Sequence, residues 1–197
     1  MMMKSKKGFA IGLDMDGVII DNTDTKIRFA KRMGFTLKPE QTHAELIEKA
    51  LTPEVLSELR THLYFNPVTA LQAKLVPGSL DGLHQLKKSG QRFYLISKRK
   101  YPIIARELLK KHKLWGKYFD EKNAFFVRET EEKDYHIGRL GIGLYLDDQP
   151  STLDKLVNAK HKILFDRFNC FVKSKHRRVG SWEEFIKMVK EHGVVNF

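Results

Sequence analysis

A single cysteine, Cys170, stands in a chain of 197 residues. Without a second thiol no intrachain disulfide can form, so packing alone must hold the fold, and the expected compartment is the cytoplasm. Long apolar runs are missing too. None approaches the ~20 residues that a membrane helix needs, so no membrane partner is expected. The lysine-led start imitates a leader peptide, but its apolar patch breaks at Asp14 after residues 8–13, which is too short for a secretory signal. The chain has no internal repeat and no low-complexity linker. Its eight histidines are scattered and none is spaced as a metal-binding pair. The glycines of "GRLGIG" do not make a GxGxxG phosphate loop and read instead as a loop and strand entry.

Acidic residues are in the minority: 24 Asp+Glu face 36 Lys+Arg, a formal charge of +12. Such a balance favours anionic partners, among them phosphates, nucleic acid and acidic surfaces. The charge is dispersed, with dense spots at "KRK" 98–100, "LLKKHK" 108–113 and "KSKHRR" 173–178. Hydrophobic residues at 42% and charged residues at 30% describe a soluble globular chain with a sizeable core. The length suits one domain with an insertion, or a medium domain plus a small one.

Strand-like and helix-like segments alternate. Residues 9–14 form an apolar run. "NTDTKIRFAKRMG" reads as a helix with Asn22 or Thr23 as its cap and Gly34 as its stop. Pro39 and Pro53 sit where helices begin, ahead of Leu46, Ile47, Ala50 and Leu51 and of Val55, Leu56, Leu59 and Leu63. "NPVTALQAKL" reads as a further short helix. From residue 77 the pattern changes to helix (Leu80, Leu83 and Leu86 inward), strand "QRFYLIS", a helix from Pro102 to Gly116, strands "NAFFV" and "GIGLYLDD", helix "PSTLDKLVNA", strand "HKILFD", and a last helix with a Ser181–Glu184 capping box and Gly193 as its stop. Alternation of this kind predicts a Rossmann-like parallel sheet with helices on both faces, an α/β fold. The helical block 22–76 is far longer than a crossover of about a dozen residues. The expected organisation is therefore an α/β core of residues 1–21 and 77–197, with a small helical cap at 22–76 inserted after the first strand.

Chemistry gathers at the strand ends, where ligands bind in open parallel sheets. Strand one ends in Asp14 and Asp16, "QRFYLIS" in Ser97, and "GIGLYLDD" in Asp147 and Asp148. Unpaired carboxylates are costly to bury, and four on one rim repel one another unless a cation sits among them. Hard oxygen donors with free coordination positions suit Mg²⁺, which keeps waters and takes a phosphate oxygen. Asp14 and Asp16, two apart, face the same side of an extended segment, and Gly17 permits a sharp turn beyond them. One carboxylate can attack phosphorus while a second protonates the leaving oxygen.

"LDMDGVI" resembles the first motif of the haloacid dehalogenase (HAD) superfamily, DxDx(T/V). "FYLIS" is similar to its second motif and "GLYLDD" to its acidic fourth. A helical insertion after the first motif is similar to that superfamily's C1 cap. Within it, "VPGSLDGLHQLKKSG", "LDDQPSTLDKL" and "HKILFDRFN" followed by "SWEEFI" most resemble the 5′(3′)-deoxyribonucleotidase branch. The resemblance implies Asp14 as nucleophile and Mg²⁺ ligand, and Asp16 as general acid/base with its backbone carbonyl on the metal. It implies Ser97 on a phosphate oxygen, and Asp148, with Asp147, completing the metal site. The third motif is a lysine ahead of the fourth; Lys133 is the candidate, with Arg128 and Arg139 as alternatives. Ser97 is followed by Lys98 and Arg99, whereas the deoxyribonucleotidases carry a Thr-Ser-Pro-like run.

The function expected is Mg²⁺-dependent hydrolysis of a small phosphomonoester, such as a nucleoside monophosphate, through an aspartyl-phosphate. The alternatives are a sugar-phosphate or nucleic-acid-end phosphatase, or a basic nucleic-acid-binding protein on a degenerate HAD fold. Nucleic acid is the less favoured partner, because four carboxylates on one rim repel phosphates when no metal is bound. Phe29, Phe35, Tyr64 and Phe65 of the insertion are read as packing its core, with base stacking the second use.

Overall fold

The computed structural model describes residues 9–191. The lysine-led start and Gly193 lie outside them. Strand β1 (Ala10–Leu13) is buried along its length. The two-residue strand β2 (Ile20–Asp21) follows, then a wholly helical stretch: α1 (Thr23–Arg32), a 3₁₀ turn (Pro39–Thr42), α2 (Ala44–Ile47), α3 (Pro53–Tyr64) and α4 (Pro67–Ala70). Strand β3 (Lys74–Leu75) returns antiparallel to β2, with Ile20 opposite Leu75. Beyond it come α5 (Ser79–Lys88), β4 (Phe93–Lys98), α6 (Pro102–Lys111), β5 (Ala124–Val127), α7 (Thr130–Leu140), β6 (Ile142–Asp147), α8 (Pro150–Lys155), β7 (His161–Phe165), β8 (Arg177–Val179) and α9 (Trp182–Glu191).

Six strands form one sheet in the order β5-β4-β1-β6-β7-β8, and every neighbouring pair is parallel. The chain builds outward from β1 through β4 to β5, then crosses back to β6 on the other flank. That reversal opens a crevice at the carboxyl end of β1. Side chains alternate across the strands. Ile11, Leu13, Leu95 and Leu146 meet α5, α6 and α9 on one face. Ala10, Ile96, Tyr145 and Leu164 meet α7 and α8 on the other. The α/β sheet with helices on both faces is thus present. The helices between β2 and β3 pack on a cluster of their own, centred on Phe29, Leu56, Leu59 and Leu63.

Several local features differ from the expected ones. The cap of α1 is not a side-chain bond from Asn22 or Thr23: Asp21 Oδ1 accepts from Thr23 N–H at 2.9 Å, and Asn22 turns elsewhere. The helix read from Pro39 breaks at His43, whose extended backbone separates the 3₁₀ turn from α2. Leu80 is 41% exposed, so the inward stripe of α5 is Leu83 and Leu86 alone. The ribbon β2–β3, helix α7 and strand β8 carry no signal in the apolar pattern. The capping box of α9 is half formed: Ser181 Oγ accepts from Glu184 N–H at 3.1 Å, but the Glu184 carboxylate takes the N–H of Gly180 at 2.7 Å.

One close approach joins α5 to α9. A Cβ on Gly82 would fall 2.1 Å from the ring of Trp182, which is 1% exposed and has no room to yield. Gly82→Ala should therefore lower stability by about 1–3 kcal/mol, the usual cost of overpacking. Urea unfolding measures this, and an unchanged midpoint would show that the contact has slack.

Candidate active site

The first turn after β1 sets the geometry. Asp14 N–H still bonds Leu146 O of β6 at 2.9 Å, so the residue is fixed to the sheet. The chain then folds back, with Ile19 and Ile20 N–H both donating to Met15 O. Gly17 adopts φ +76°, and a Cβ there would lie 2.1 Å from Asp148 Oδ2. Both the backbone angle and the space therefore demand glycine. Trp182 Nε1 closes the turn from below by donating to Val18 O at 2.7 Å.

At the centre sits Lys133, on the first turns of α7 and 2% exposed. Its Nζ donates to Asp14 Oδ1 and to Asp147 Oδ2, each at 2.8 Å. Burial opposes the charge on Lys133, but the two carboxylates outweigh it and hold the ammonium well above the ordinary lysine range. Burial pushes the Asp14 carboxyl up to about 7; Lys133 pulls it down, while Asp147 and Asp16 add to the rise. Asp148 is raised well above its ordinary value, first by burial and then by the charges of Asp147 and Asp14. Carboxylate oxygens of Asp14, Asp147 and Asp148 all lie within 4.8 Å of one another. Asp147 is satisfied, its Oδ1 accepting from Gln149 N–H at 3.0 Å. Asp148 Oδ1 is buried with no hydrogen-bond partner. An orphaned carboxylate oxygen facing two more carboxylates fits a hard divalent cation.

Asp16 is held differently. Its Oδ1 accepts from Arg99 Nη2 at 2.6 Å and from Asn22 Nδ2 at 3.1 Å. Arg99 is 7% exposed and lies 4.3 Å from the ring centroid of Tyr64 in α3. Buried Ser97 at the end of β4 lines the same cavity as Asp14, Asp16 and Lys133. Of the three candidates for the cationic third motif, Lys133 alone touches Asp14. Arg128 lines the cavity further out, and Arg139 packs on Phe125 and bonds His136.

The cavity encloses about 540 Å³ beneath α2 and α3. On one side of the roof His43 Nδ1 accepts from Glu45 N–H at 3.1 Å, which leaves the ring proton on Nε2. Nε2 donates to Asp148 O at 2.9 Å, and the ring meets Phe171 edge-on. Burial lowers the His43 pKa, in keeping with that neutral form. Glu45 Oε1 accepts from both N–H and Oγ of Ser151. Opposite, Phe65 meets Tyr101 edge-on at 5.2 Å. Of the four aromatics read as core, Phe29 and Phe35 do pack the helical cluster, with Tyr64 against its edge, but Tyr64 and Phe65 also line the cavity.

Lys26 of α1 also lines the cavity, with Nζ on Thr42 O at 2.7 Å; burial lowers its pKa against the pull of Asp148 and Asp16. Lys26, His43 and Arg99 were not among the expected site residues. Only Arg99 had a signal, being two residues past Ser97 on the same side of an extended segment.

Lys133→Met would leave Asp14 and Asp147 facing each other without a counter-charge. Removing one partner of a buried pair costs about 3–5 kcal/mol. That loss should appear at pH 7.5 in metal-free protein. Burial already raises the Asp14 carboxyl and the variant removes the ammonium that pulls it down, so part of the loss should be recovered toward pH 5 as Asp14 takes up a proton. A pH-independent difference between variant and wild type would contradict this account.

A family model described as "5' nucleotidase, deoxy (Pyrimidine), cytosolic type C protein" matches residues 8–194. A protein of Oceanobacillus iheyensis named for an inferred nucleotidase activity is 27% identical over 118 residues, spanning 57% of this chain and 60% of that protein's length. A HAD family hydrolase of Deinococcus radiodurans R1, solved with bound phosphate and sodium, superposes with a TM-score of 0.67 at 14% identity, covering 98% of this chain and 99% of that one. A protein of Clostridium acetobutylicum described as a predicted phosphatase gives 0.65 at 15% identity over 93% and 99% of the two chains. These structures share the HAD-like α/β fold, and the family match, which covers all of the described residues, shows that the protein belongs to the cytosolic type C 5′ deoxynucleotidase family.

Proposed function

We propose that this protein is a Mg²⁺-dependent phosphomonoesterase that acts on a small phosphorylated metabolite, such as a nucleoside monophosphate, through an aspartyl-phosphate. The observation that carries the reading is Asp14. It is a nearly buried carboxylate in a cavity beneath α2 and α3, gripped by Lys133 and flanked by Ser97 and Asp16. A nearly buried carboxylate backed by fixed positive charge is a competent nucleophile toward phosphorus.

In this reading Asp14 attacks the phosphorus and forms an acyl phosphate as the P–O(R) bond breaks. Asp16, released from the Arg99 guanidinium and entering the step as the carboxylic acid, gives its proton to the ester oxygen, so the alcohol leaves neutral and Asp16 is left as the carboxylate. Asp16 then takes a proton from water, which attacks the phosphorus and returns Asp14 and inorganic phosphate. Ser97 and Lys133 hold the phosphoryl oxygens. Mg²⁺ would be held by Asp14, Asp147 and Asp148, with the Asp16 carbonyl, and would offset the carboxylates against the incoming phosphate. The helices of residues 22–76 act as a cap whose roof excludes water and contacts the alcohol part of the substrate through Tyr64 and Phe65. The Deinococcus structure described with phosphate bound is consistent with a phosphate site on this fold.

Asp14→Asn should abolish phosphate release from nucleoside monophosphates while the thermal midpoint stays close to wild type. Asp16→Asn should slow turnover by ~10²–10⁴-fold, the range for general acid–base groups. More than a few per cent of wild-type activity in the first, or wild-type rates in the second, would sink these roles. Mg²⁺ should raise the melting temperature of the wild type in a concentration-dependent way, and excess EDTA should silence turnover. Undiminished hydrolysis in chelator, or an Asp148→Asn variant stabilised as strongly as wild type, would remove the metal from the reading.

A further inference from the structure

The cavity holds more positive charge than one phosphate needs. Seven cationic side chains line it against four acidic ones. Several are already spoken for. Lys133 is held by Asp14 and Asp147, Arg99 by Asp16, and Arg60 by Glu48 at 2.7 Å. Glu45 is turned onto Ser151. What remains is a group at the carboxyl ends of β4 and β5. Lys98 lies opposite Val127 in the parallel register, so Lys98 and Arg128 stand on adjacent strand ends, and Lys100 follows two residues on. Among the described residues none of these three has a carboxylate partner or a side-chain hydrogen bond, and the Lys100 ammonium rests only near the Tyr101 ring at 5.8 Å. Arg99 between them is buried, and its Nε has no acceptor. A buried guanidinium N–H without an acceptor is an unmade hydrogen bond, and charge-assisted bonds of that kind are among the strong ones.

We propose that these cations form a second anion subsite, and that the preferred substrate is a small phosphomonoester carrying a second phosphate on the same molecule. The inference rests on the phosphatase reading above and narrows its substrate. Inorganic phosphate chemistry is served by Asp14, Ser97 and Lys133. The rest of a nucleoside monophosphate is neutral and would lie against Lys98, Arg99 and Arg128 without meeting their charge. A bisphosphate meets it. The Arg60–Glu48 pair, more than half exposed on both sides, is weak enough to release Arg60 from the roof toward the same group. The space of about 540 Å³ beneath α2 and α3 has room for a whole small ligand. Nucleoside bisphosphates and sugar bisphosphates share this chemistry.

The test compares matched pairs with Mg²⁺: deoxyadenosine 5′-monophosphate against its 3′,5′-bisphosphate, and ribose 5-phosphate against ribose 1,5-bisphosphate. A 5′-phosphorylated dinucleotide serves as a third arm. Wild type should favour the bisphosphate of at least one pair by about tenfold or more in kcat/KM, carried by KM, and the pair concerned identifies the source. Lys98→Ala with Arg128→Ala should collapse that ratio. Lys117→Ala with Lys122→Ala, which removes the same charge from outside the cavity, should leave the ratio in place and so separates a subsite from general steering. Binding to the Asp14→Asn variant by calorimetry gives a readout free of turnover. There too the bisphosphate should bind about tenfold or more tightly, and Lys98→Ala with Arg128→Ala should erase the difference. If binding discriminates while wild type releases no phosphate from any compound, the subsite stands and the phosphatase reading falls. Equal kcat/KM and equal affinity within both pairs would overturn the subsite, as would a dinucleotide preferred over every bisphosphate.

Discussion

The bridge from Lys133 to Asp14 and Asp147 is the interaction on which the rest of the site depends. It ties α7 to the ends of β1 and β6, the two central strands, through two bonds of 2.8 Å inside the protein. Without it three carboxylates would share one small volume with no fixed cation. Charges taken from water at that depth recover the cost only when their geometry is good and their remaining lone pairs are met. Asp147 meets both conditions; Asp148 does not, since one of its oxygens has no partner. The asymmetry divides the acidic cluster into a part that the protein balances by itself and a part that calls for a cation from outside.

The roof is attached to that cluster by polar contacts on one flank and aromatic contacts on the other. His43 bonds the backbone of Asp148, and Glu45 bonds Ser151. Across the cavity Tyr64 lies over Arg99, and Phe65 meets Tyr101. Each contact joins a residue of the helical insertion to one in the segment that follows β4 or β6. The position of the helices is therefore coupled to the groups that would hold metal and substrate. Arg99 belongs to both sets at once, being paired with Asp16 and stacked on Tyr64.

Much of this was legible in the chain because carboxylates inside apolar strands have few structural uses. Asp14, Asp16, Asp147 and Asp148 stand out for that reason, and Ser97 follows from its place at the end of β4. Helix α7 was not legible. Its inward residues include Thr130, Lys133 and Asp134 beside Ile137, so the apolar stripe that reveals an amphipathic helix is absent. Lys133 could thus be reached through family resemblance but not through periodicity. His43 was silent because its work depends on a backbone break and on a partner 105 residues away. Arg99 was hidden inside a basic run, where charge reads as solvated surface. The ribbon β2–β3 has two residues on each side, too few for any alternation to register. Leu80 shows the opposite error, an apolar residue at the right spacing in the first turn of α5 that the core does not reach.

The bond from Trp182 to Val18 has a consequence for the order in which the molecule is made. The turn that carries Asp14 and Asp16 is locked by an indole 164 residues downstream. Its strand waits as well for β4 and for β6, because β1 has no other neighbours in the sheet. During synthesis from the amino end, the helical insertion has its own apolar cluster and emerges early enough to begin packing. That turn cannot gain its closing bond until α9 has been made. The turn that carries the acidic motif is therefore completed from a distance, by a residue made long after the carboxylates themselves.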